Sequence, residues 1–214
     1  EVVGSKANNE GVLDMAKKSI VLLKNDKNLL PLKKSGQKIA LIGALANDKN
    51  SPLGSWRIAA DDNSAVSVLE GMQQYKDNQL VFEKGVELLS QKATFLTETV
   101  FNTTDRNGFE AAKKAAKNAD VVVMVLGEYG FQSGEGRSRT DLNLPGLQQE
   151  LLEEIYKVNP KDSAILISDT IRTVEEPLII YSSGVNNLMR EVGSNPFGIK
   201  RQYKNRDKNP AYYY

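Results

Sequence analysis

The sequence contains no cysteine and no histidine among its 214 residues, and each absence excludes a kind of chemistry. Without cysteine the chain has no disulfide framework, thiolate metal site or cysteine nucleophile. Without histidine it has no Ser-His-Asp triad, histidine-ligated zinc or imidazole acid/base. A catalytic proton transfer would therefore fall most naturally to Asp or Glu, and we predict no metal and no cofactor.

Net charge and long apolar runs are also scarce. Lys and Arg number 28 against 27 Asp and Glu, so the formal net charge is +1 and no long-range field draws the chain toward nucleic acid. No stretch approaches the roughly 20 apolar residues of a membrane span. We therefore expect neither nucleic acid nor a membrane as partner. The start at Glu1, without Met or a basic leader, suggests a processed chain or a fragment of a longer protein.

The composition that remains suits one main domain. Hydrophobic residues make up 40% of the chain and charged residues 26%, which is typical of a soluble domain with a core. We assign residues 1–199 to this domain. Residues 200–214 are polar, end in three tyrosines and lack periodicity, so they are predicted to form an irregular tail.

Short apolar runs alternate with helical patterns along most of the chain. Strands are predicted at 38–43, 79–82, 120–127, 163–168 and, less regularly, 178–181. Helices are predicted over 9–25, after a cap at Ser64, over 108–118 and from Pro145 to about 157. The alternation predicts an α/β fold with a doubly wound, mostly parallel sheet and helices on both faces. In such folds the ligand loops lie beyond the carboxyl ends of the strands.

One loop at such an end, residues 128–143, concentrates acids, arginines and glycines. A loop that folds over a substrate can desolvate a carboxylic acid and hold it protonated until it donates its proton. Glu135 lies between two glycines and suits such movement. From residue type alone, an exposed ion pair between Glu135 and Arg137 or Arg139 is the more common arrangement, and it stabilises little.

Three stretches, in order, share a pattern with a known enzyme family. The first is Ala16-Lys17-Lys18-Ser19-Ile20-Val21-Leu22-Leu23-Lys24-Asn25 with Leu29-Leu30-Pro31-Leu32, and the second is Ile39-Ala40-Leu41-Ile42-Gly43 leading to Gly54-Ser55-Trp56. The third is Gly127-Glu128 followed by Gly134-Glu135-Gly136-Arg137-Ser138-Arg139-Thr140-Asp141-Leu142-Asn143-Leu144-Pro145. Together they resemble the C-terminal domain of family 3 glycoside hydrolases, especially bacterial β-glucosidases. The resemblance runs from about residue 13 to about 160, and beyond about 161 the sequence departs from the family pattern.

This resemblance implies an α/β sandwich domain that follows a TIM-like barrel, with the active site between the two. The barrel would supply an Asp nucleophile and this domain the general acid/base, as in retaining glycosidases. The position of Glu135 in the shared motif implies that it is the acid/base, and Glu128 is a weaker alternative. The partners implied are the N-terminal barrel and a β-glucoside or oligosaccharide substrate, so the chain alone would be nearly inactive. A periplasmic or secreted location also follows from the resemblance alone.

Four further residues are candidates for substrate contact: Trp56, Arg137, Arg139 and Asp141. Trp56 can stack on a sugar ring or anchor its loop against the core. The arginines and the aspartate can contact sugar, although locking the loop through ion pairs is the more common role. A function of another class stays open, namely a noncatalytic carbohydrate-binding or interaction module on the same scaffold. A small-molecule sensor rests on fold analogy alone.

Overall fold

The computed structural model describes residues 4–22, 25, 28–55, 57, 62–132, 134, 137–138, 143–160, 164–168 and 178–183. For Ser19 and the last two ranges it describes the backbone alone. Glu128 and Arg137 are the predicted site residues within these ranges. Trp56, Glu135, Arg139 and Asp141 lie outside them, as does the predicted tail, residues 200–214. No helix within the described ranges is long and apolar enough to cross a membrane.

Six strands and four α-helices lie within these ranges. The strands are β1 (Ile20–Leu22), β2 (Lys38–Ile42), β3 (Gln79–Glu83), β4 (Val121–Leu126), β5 (Ala164–Ser168) and β6 (Leu178–Ser183). The helices are α1 (Lys6–Ser19), α2 (Val68–Met72), α3 (Phe109–Lys117) and α4 (Gln148–Val158). Two short 3-10 helices, Ala44–Asn47 and Ser51–Leu53, follow β2.

The strands form one sheet in the order β1-β6-β5-β4-β2-β3. Strands β2 to β6 are parallel, and β1 pairs antiparallel with β6 at one edge, so the predicted mostly parallel sheet is confirmed. The chain leaves β2 for β3 on one side, returns to β4 on the other side of β2 and continues to β5. The order therefore reverses between β2 and β4. Open α/β sheets bind ligands in the crevice at such a reversal, beyond the carboxyl ends of the strands.

Helices cover both faces of the sheet, as predicted. Helices α3 and α4 pack on the face formed by Ala40, Ile42, Val122, Met124 and Leu126. Helix α2 and the segment 29–32 pack on the opposite face, formed by Ile39, Leu41, Val121, Val123 and Val125. Every residue of β4 is buried because both of its faces are covered, which explains its uninterrupted apolar sequence.

The predicted first helix was wrong at its end. The 9–25 prediction assumed one helix, but α1 ends at Ser19 and residues 20–22 form β1. Ile20 pairs with Ser183 and Leu22 with Tyr181 across the sheet edge. Two of the three residues are β-branched and suit a strand, and their partners lie about 160 residues away, so a local periodicity does not reveal the pairing.

Two predicted helix starts were also wrong. The cap of α2 is Ser67, not Ser64: the Ser67 hydroxyl accepts a hydrogen bond from the Glu70 N–H at 3.1 Å, and the Glu70 carboxylate accepts one from the Ser67 N–H at 2.9 Å. This reciprocal pair satisfies two N–H groups that a helix start leaves open. Helix α4 begins at Gln148 rather than Pro145, because Gly146 has a φ of 64°, which no α-helix accommodates.

Candidate active site

The loop that joins β4 to α4, residues 127–147, starts at the sheet reversal, and one buried side chain closes its base. The Oε1 of Gln148 accepts a hydrogen bond from the Gly127 N–H at 2.9 Å. Its Nε2 donates to the carbonyls of Gly127 at 2.8 Å and Pro145 at 3.0 Å. Gln148 therefore connects both ends of this β4–α4 loop. Its side chain is buried, so its amide forms hydrogen bonds with the protein instead of with bulk water.

The turn after β2, residues 43–55, lies beside the same loop. Its Asp48 carboxylate accepts hydrogen bonds from the N–H groups of Asn50 and Ser51 at 2.7 and 3.0 Å, and from the Ser51 hydroxyl at 2.5 Å. The Ser51 Oγ in turn accepts a hydrogen bond from the Gly130 N–H at 2.9 Å. Because the hydroxyl proton is committed to Asp48, the oxygen lone pairs of Ser51 face the β4–α4 loop.

Two glycines of the loop approach this turn too closely for any side chain. A Cβ on Gly130 would lie 2.9 Å from the Ser51 Cα. A Cβ on Gly134 would lie 2.5 Å from the Ser55 Oγ. Ser55 directly precedes Trp56 in the sequence and Gly134 directly precedes Glu135, so the structure brings together the segments that lead into these two predicted site residues.

An aromatic and cationic cluster lies further along the same loop. The Phe131 ring packs edge-on against Phe95 and Tyr129, with ring centroids 6.3 and 5.9 Å apart. The guanidinium carbon of Arg57 lies 4.4 Å from the centre of the Phe131 ring, within the range of a cation–π interaction. Arg57 is 10% exposed and pairs with the Asp62 carboxylate at 2.5 Å, so the buried cation retains a counter-ion.

The same surroundings shift the titration of Tyr129. Burial raises the pKa of its phenol, and the nearby Asp48 carboxylate raises this pKa further, whereas the Arg57 guanidinium acts in the opposite direction. The phenol is therefore neutral at physiological pH and can act as a hydrogen-bond donor in the crevice. The Asp48 carboxylate of the turn after β2 is thus close enough to Tyr129 of the β4–α4 loop to affect its pKa.

The two predicted site residues that the structure describes differ in their surroundings. Glu128 follows directly after the strand end and is 6% exposed, so its carboxyl group is enclosed by the domain. Arg137 donates from Nη2 to the carbonyls of Thr94, Phe95 and Thr97 at 3.3, 2.8 and 2.9 Å. Arg137 thus fastens the loop to the turn at 94–97 through backbone carbonyls. The predicted ion pairs with Glu135 and Asp141 involve residues outside the described ranges. A sugar contact for Arg137 stays a prediction.

Sequence reasoning missed three side chains that shape this site: Gln148, Ser51 and Arg57. An Asp followed by polar residues after a strand, as at Asp48, is typical of a turn in which the carboxylate accepts from its own backbone, and this signal was available. No local signal marks the contacts of Gln148 with Gly127 or of Arg57 with Phe131, because these partners lie 21 and 74 residues away in the sequence. Within the described residues no group of three or more acids is arranged to hold a metal ion.

Comparison with known proteins gives a consistent set of relatives. The family model described as "Glycosyl hydrolase family 3 C-terminal domain" matches residues 20–182. The expected departure from the family after about residue 161 was therefore wrong for residues up to 182. A β-xylosidase from Formosa agariphila is 34% identical over 77% of this chain and 22% of its own length. A periplasmic β-glucosidase from Salmonella typhimurium is 35% identical over 69% of this chain and 20% of its own length. The chain thus spans about a fifth of the length of these relatives.

Solved structures agree with these sequence relatives. The crystal structure of a family 3 β-glucosidase from Bifidobacterium adolescentis superposes with a TM-score of 0.64 at 28% identity, covering 90% of this chain and 27% of that one. A family 3 exo-β-xylosidase gives a TM-score of 0.59 at 25% identity, covering 76% of this chain and 19% of that one. Both the fold and the motifs therefore lead to one conclusion. The chain belongs to glycoside hydrolase family 3, in which residues 20–182 correspond to the C-terminal α/β domain.

Proposed function

We propose that this domain supplies the general acid/base of a retaining β-glycosidase and that Glu135 is this residue. The observation that carries the proposal is the contact of Gly134 with Ser55 at the sheet reversal, where the segments leading into Glu135 and Trp56 meet. A proton donor and an aromatic face at one crevice are what a glycoside site requires, because the sugar must be held while its linking oxygen is protonated.

The proposed chemistry divides between this domain and an N-terminal barrel. In the first step an Asp of the barrel attacks the anomeric carbon while Glu135 gives its proton to the departing oxygen. In the second step the Glu135 carboxylate removes a proton from water, which then releases the glycosyl group from the Asp. Retention of configuration requires the two carboxyl groups to lie about 5–5.5 Å apart, so this chain alone is expected to be nearly inactive.

The burial of Glu128 supports Glu135 over Glu128 for this role. A general acid has to come within hydrogen-bond distance of the glycosidic oxygen, at about 2.6–3.2 Å. Glu128 is 6% exposed, and it would have to leave its enclosure before it met a substrate. Glu135 directly follows Gly134, which is exposed and lies against Ser55 of the turn after β2.

The proposed substrate is a β-linked glucoside or a short oligosaccharide. A β-xyloside is the second candidate, since relatives that match about three quarters of this chain carry the names β-xylosidase and exo-1,4-β-xylosidase. We further propose a periplasmic or secreted location, which the name of the periplasmic relative from Salmonella typhimurium supports. The competing function is a noncatalytic carbohydrate-binding module.

The test measures hydrolysis of an aryl β-glucoside and an aryl β-xyloside by the gene product at its natural length and by this chain alone. Glu135→Gln should lower turnover of substrates with poor leaving groups by about 10²- to 10⁴-fold, the usual contribution of a general acid. Glu128→Gln is the matched comparison and should keep the leaving-group dependence of the parent. Parental turnover in Glu135→Gln would refute the assignment. Sugar binding by the natural product without hydrolysis of either substrate would favour the binding module.

A further inference from the structure

The contacts of Ser51 give this residue a role that its sequence does not suggest. Ser51 and Gly130 are 79 residues apart, yet the Ser51 Oγ accepts the Gly130 N–H at 2.9 Å. This is the point at which the turn after β2 holds the backbone of the β4–α4 loop. The bond is part-buried, so competition from water is reduced and the bond is stronger than an exposed one.

Asp48 fixes the direction of this hydrogen bond. A serine hydroxyl rotates freely unless its proton is engaged, and here the proton is donated to Asp48 Oδ2 at 2.5 Å. The other carboxylate oxygen, Oδ1, accepts the Ser51 N–H at 3.0 Å and holds the backbone of the turn in place. Asp48 thus orients Ser51 as an acceptor, and an acceptor is what the Gly130 N–H requires.

Packing enforces the same register between turn and loop. A Cβ on Gly130 would meet the Ser51 Cα at 2.9 Å, so the two backbones lie as close as their atoms allow. Four residues later Gly134 lies against Ser55, where a Cβ would be 2.5 Å from the Ser55 Oγ. The turn therefore contacts the loop at two points, and the second point directly precedes Glu135 in the sequence.

We propose that Ser51, oriented by Asp48, is a positioning residue that sets the placement of Glu135 relative to the bound glycoside. The inference rests on the proposed function of Glu135 and adds to it the contacts of Gly130 and Gly134, which hold the loop backbone ahead of the acid. Acid catalysis is sensitive to such placement, because a displacement of about 1 Å can reduce a rate by about 100-fold. In this role the Ser51 hydroxyl acts on the substrate only through the loop backbone that it holds.

The experiment is a leaving-group series with the gene product at its natural length. A misplaced acid slows substrates in proportion to their need for protonation, whereas a loss of folded protein slows all substrates equally. Ser51→Ala should lower kcat/KM by about 10- to 100-fold for alkyl glycosides and by less than about 2-fold for dinitrophenyl glycosides. Gly130→Ala should give the same pattern by pushing the loop away from the turn. Ser51→Thr, which keeps the hydroxyl, should restore most of the loss.

Ser90→Ala is the matched control, because the Ser90 hydroxyl also bonds a backbone group, the Val100 carbonyl at 3.2 Å, but does so at an exposed position within its own hairpin. The kcat/KM of Ser90→Ala should depend on the leaving group in the same way as that of the parent. If Ser51→Ala and Gly130→Ala also run parallel to the parent while Glu135→Gln shows a steep dependence, the positioning role is overturned and the acid/base assignment stands. If Glu135→Gln itself shows no steeper dependence than the parent, the proposed function fails instead.

Discussion

At the amino ends of β2 and β4, residues at or just before the strand starts bond directly to each other. At the carboxyl ends of the same strands, the contacts join the two loops that follow them. On the amino side the Asp120 N–H donates to the Lys38 carbonyl at 2.8 Å, and the Lys38 N–H donates to the Asp120 carboxylate at 2.9 Å. On the carboxyl side the contacts are those of Ser51 with Gly130 and of Arg57 with Phe131.

The two ends of the strands differ in what their contacts position. The amino-side bonds complete the strand ladder and orient nothing beyond it, so changing them should cost stability alone. The carboxyl-side contacts also place loops that extend beyond the sheet, which is typical of sites where a rigid scaffold positions reactive groups. Substitutions on the carboxyl side should therefore change activity in ways that depend on the substrate.

The largest expected effect is that of Gly43→Ala, where a carboxyl-side loop meets the core. The new Cβ would lie 2.1 Å from the Val125 carbonyl oxygen, and the φ of Gly43 is 122°, so neither the space nor the backbone accepts alanine. We expect a loss of more than about 4 kcal/mol, measured as hydrogen exchange of the β4 amides. Gly36→Ala is the control: its φ is 77° with no atom within 4 Å, and it should cost about 1–2 kcal/mol. Equal losses in the two variants would show that the close approach is unimportant.

Gln148→Ala should have the next largest effect. It leaves the Gly127 N–H and the carbonyls of Gly127 and Pro145 without their buried partner, which costs about 3 kcal/mol in the same exchange measurement. Gln149→Ala, one residue on, removes an exposed bond to Glu153 and should stay within about 0.5 kcal/mol of the parent. A Gln148 variant as stable as the Gln149 variant would mean that the base of the loop is held by other groups.

Asp120→Ala tests the amino side of the comparison. It removes the acceptor of the Lys38 N–H at an exposed position and should cost about 1 kcal/mol. Because it lies at the opposite end of the strands from the β4–α4 loop, kcat/KM should show the parental dependence on the leaving group. A steeper dependence in Asp120→Ala would remove the distinction between the two ends of the strands.

The smallest expected effect depends on pH and concerns Glu70, which caps α2 beside the turn. The Lys49 ammonium, at 2.8 Å, and the Ser67 N–H hold the pKa of this carboxyl below its usual value. A folded pKa below the unfolded one contributes stability above the unfolded value and loses it as the pH falls through the folded value. Glu70→Gln should therefore be less stable than the parent at pH 7, and the gap should close below about pH 4. A gap that stays constant down to pH 3 would contradict this linkage.

The sequence predicted those parts of the fold whose signals are local. Strand β4 is buried on both faces, and its six apolar residues show this without reference to any other part of the chain. The loop that follows was identified from its composition and from the resemblance. The alternation of strands and helices predicted a doubly wound sheet, and a sheet of that class contains a reversal of strand order.

The parts that could not be predicted depend on distant partners. Residues 20–22 form a strand because β6 lies beside them, and Ser51 matters because Gly130 approaches it after a further 79 residues. The cap at Ser67 instead of Ser64 shows a different limit, since both serines precede an apolar run and only Ser67 has a Glu three residues later. That capping-box pattern was present in the sequence and would have chosen correctly.

Azide rescue of a Glu135→Ala variant, in the gene product at its natural length, tests the central claim most directly. With an activated aryl glycoside, a retaining enzyme that lacks its acid/base forms a glycosyl-enzyme that water no longer attacks efficiently, and azide needs no deprotonation to take the place of water. We predict that azide restores turnover and that the product is the β-glycosyl azide. A Glu135→Ala variant with parental activity, without rescue, or with an α-glycosyl azide as product would contradict the assignment of Glu135 as the acid/base.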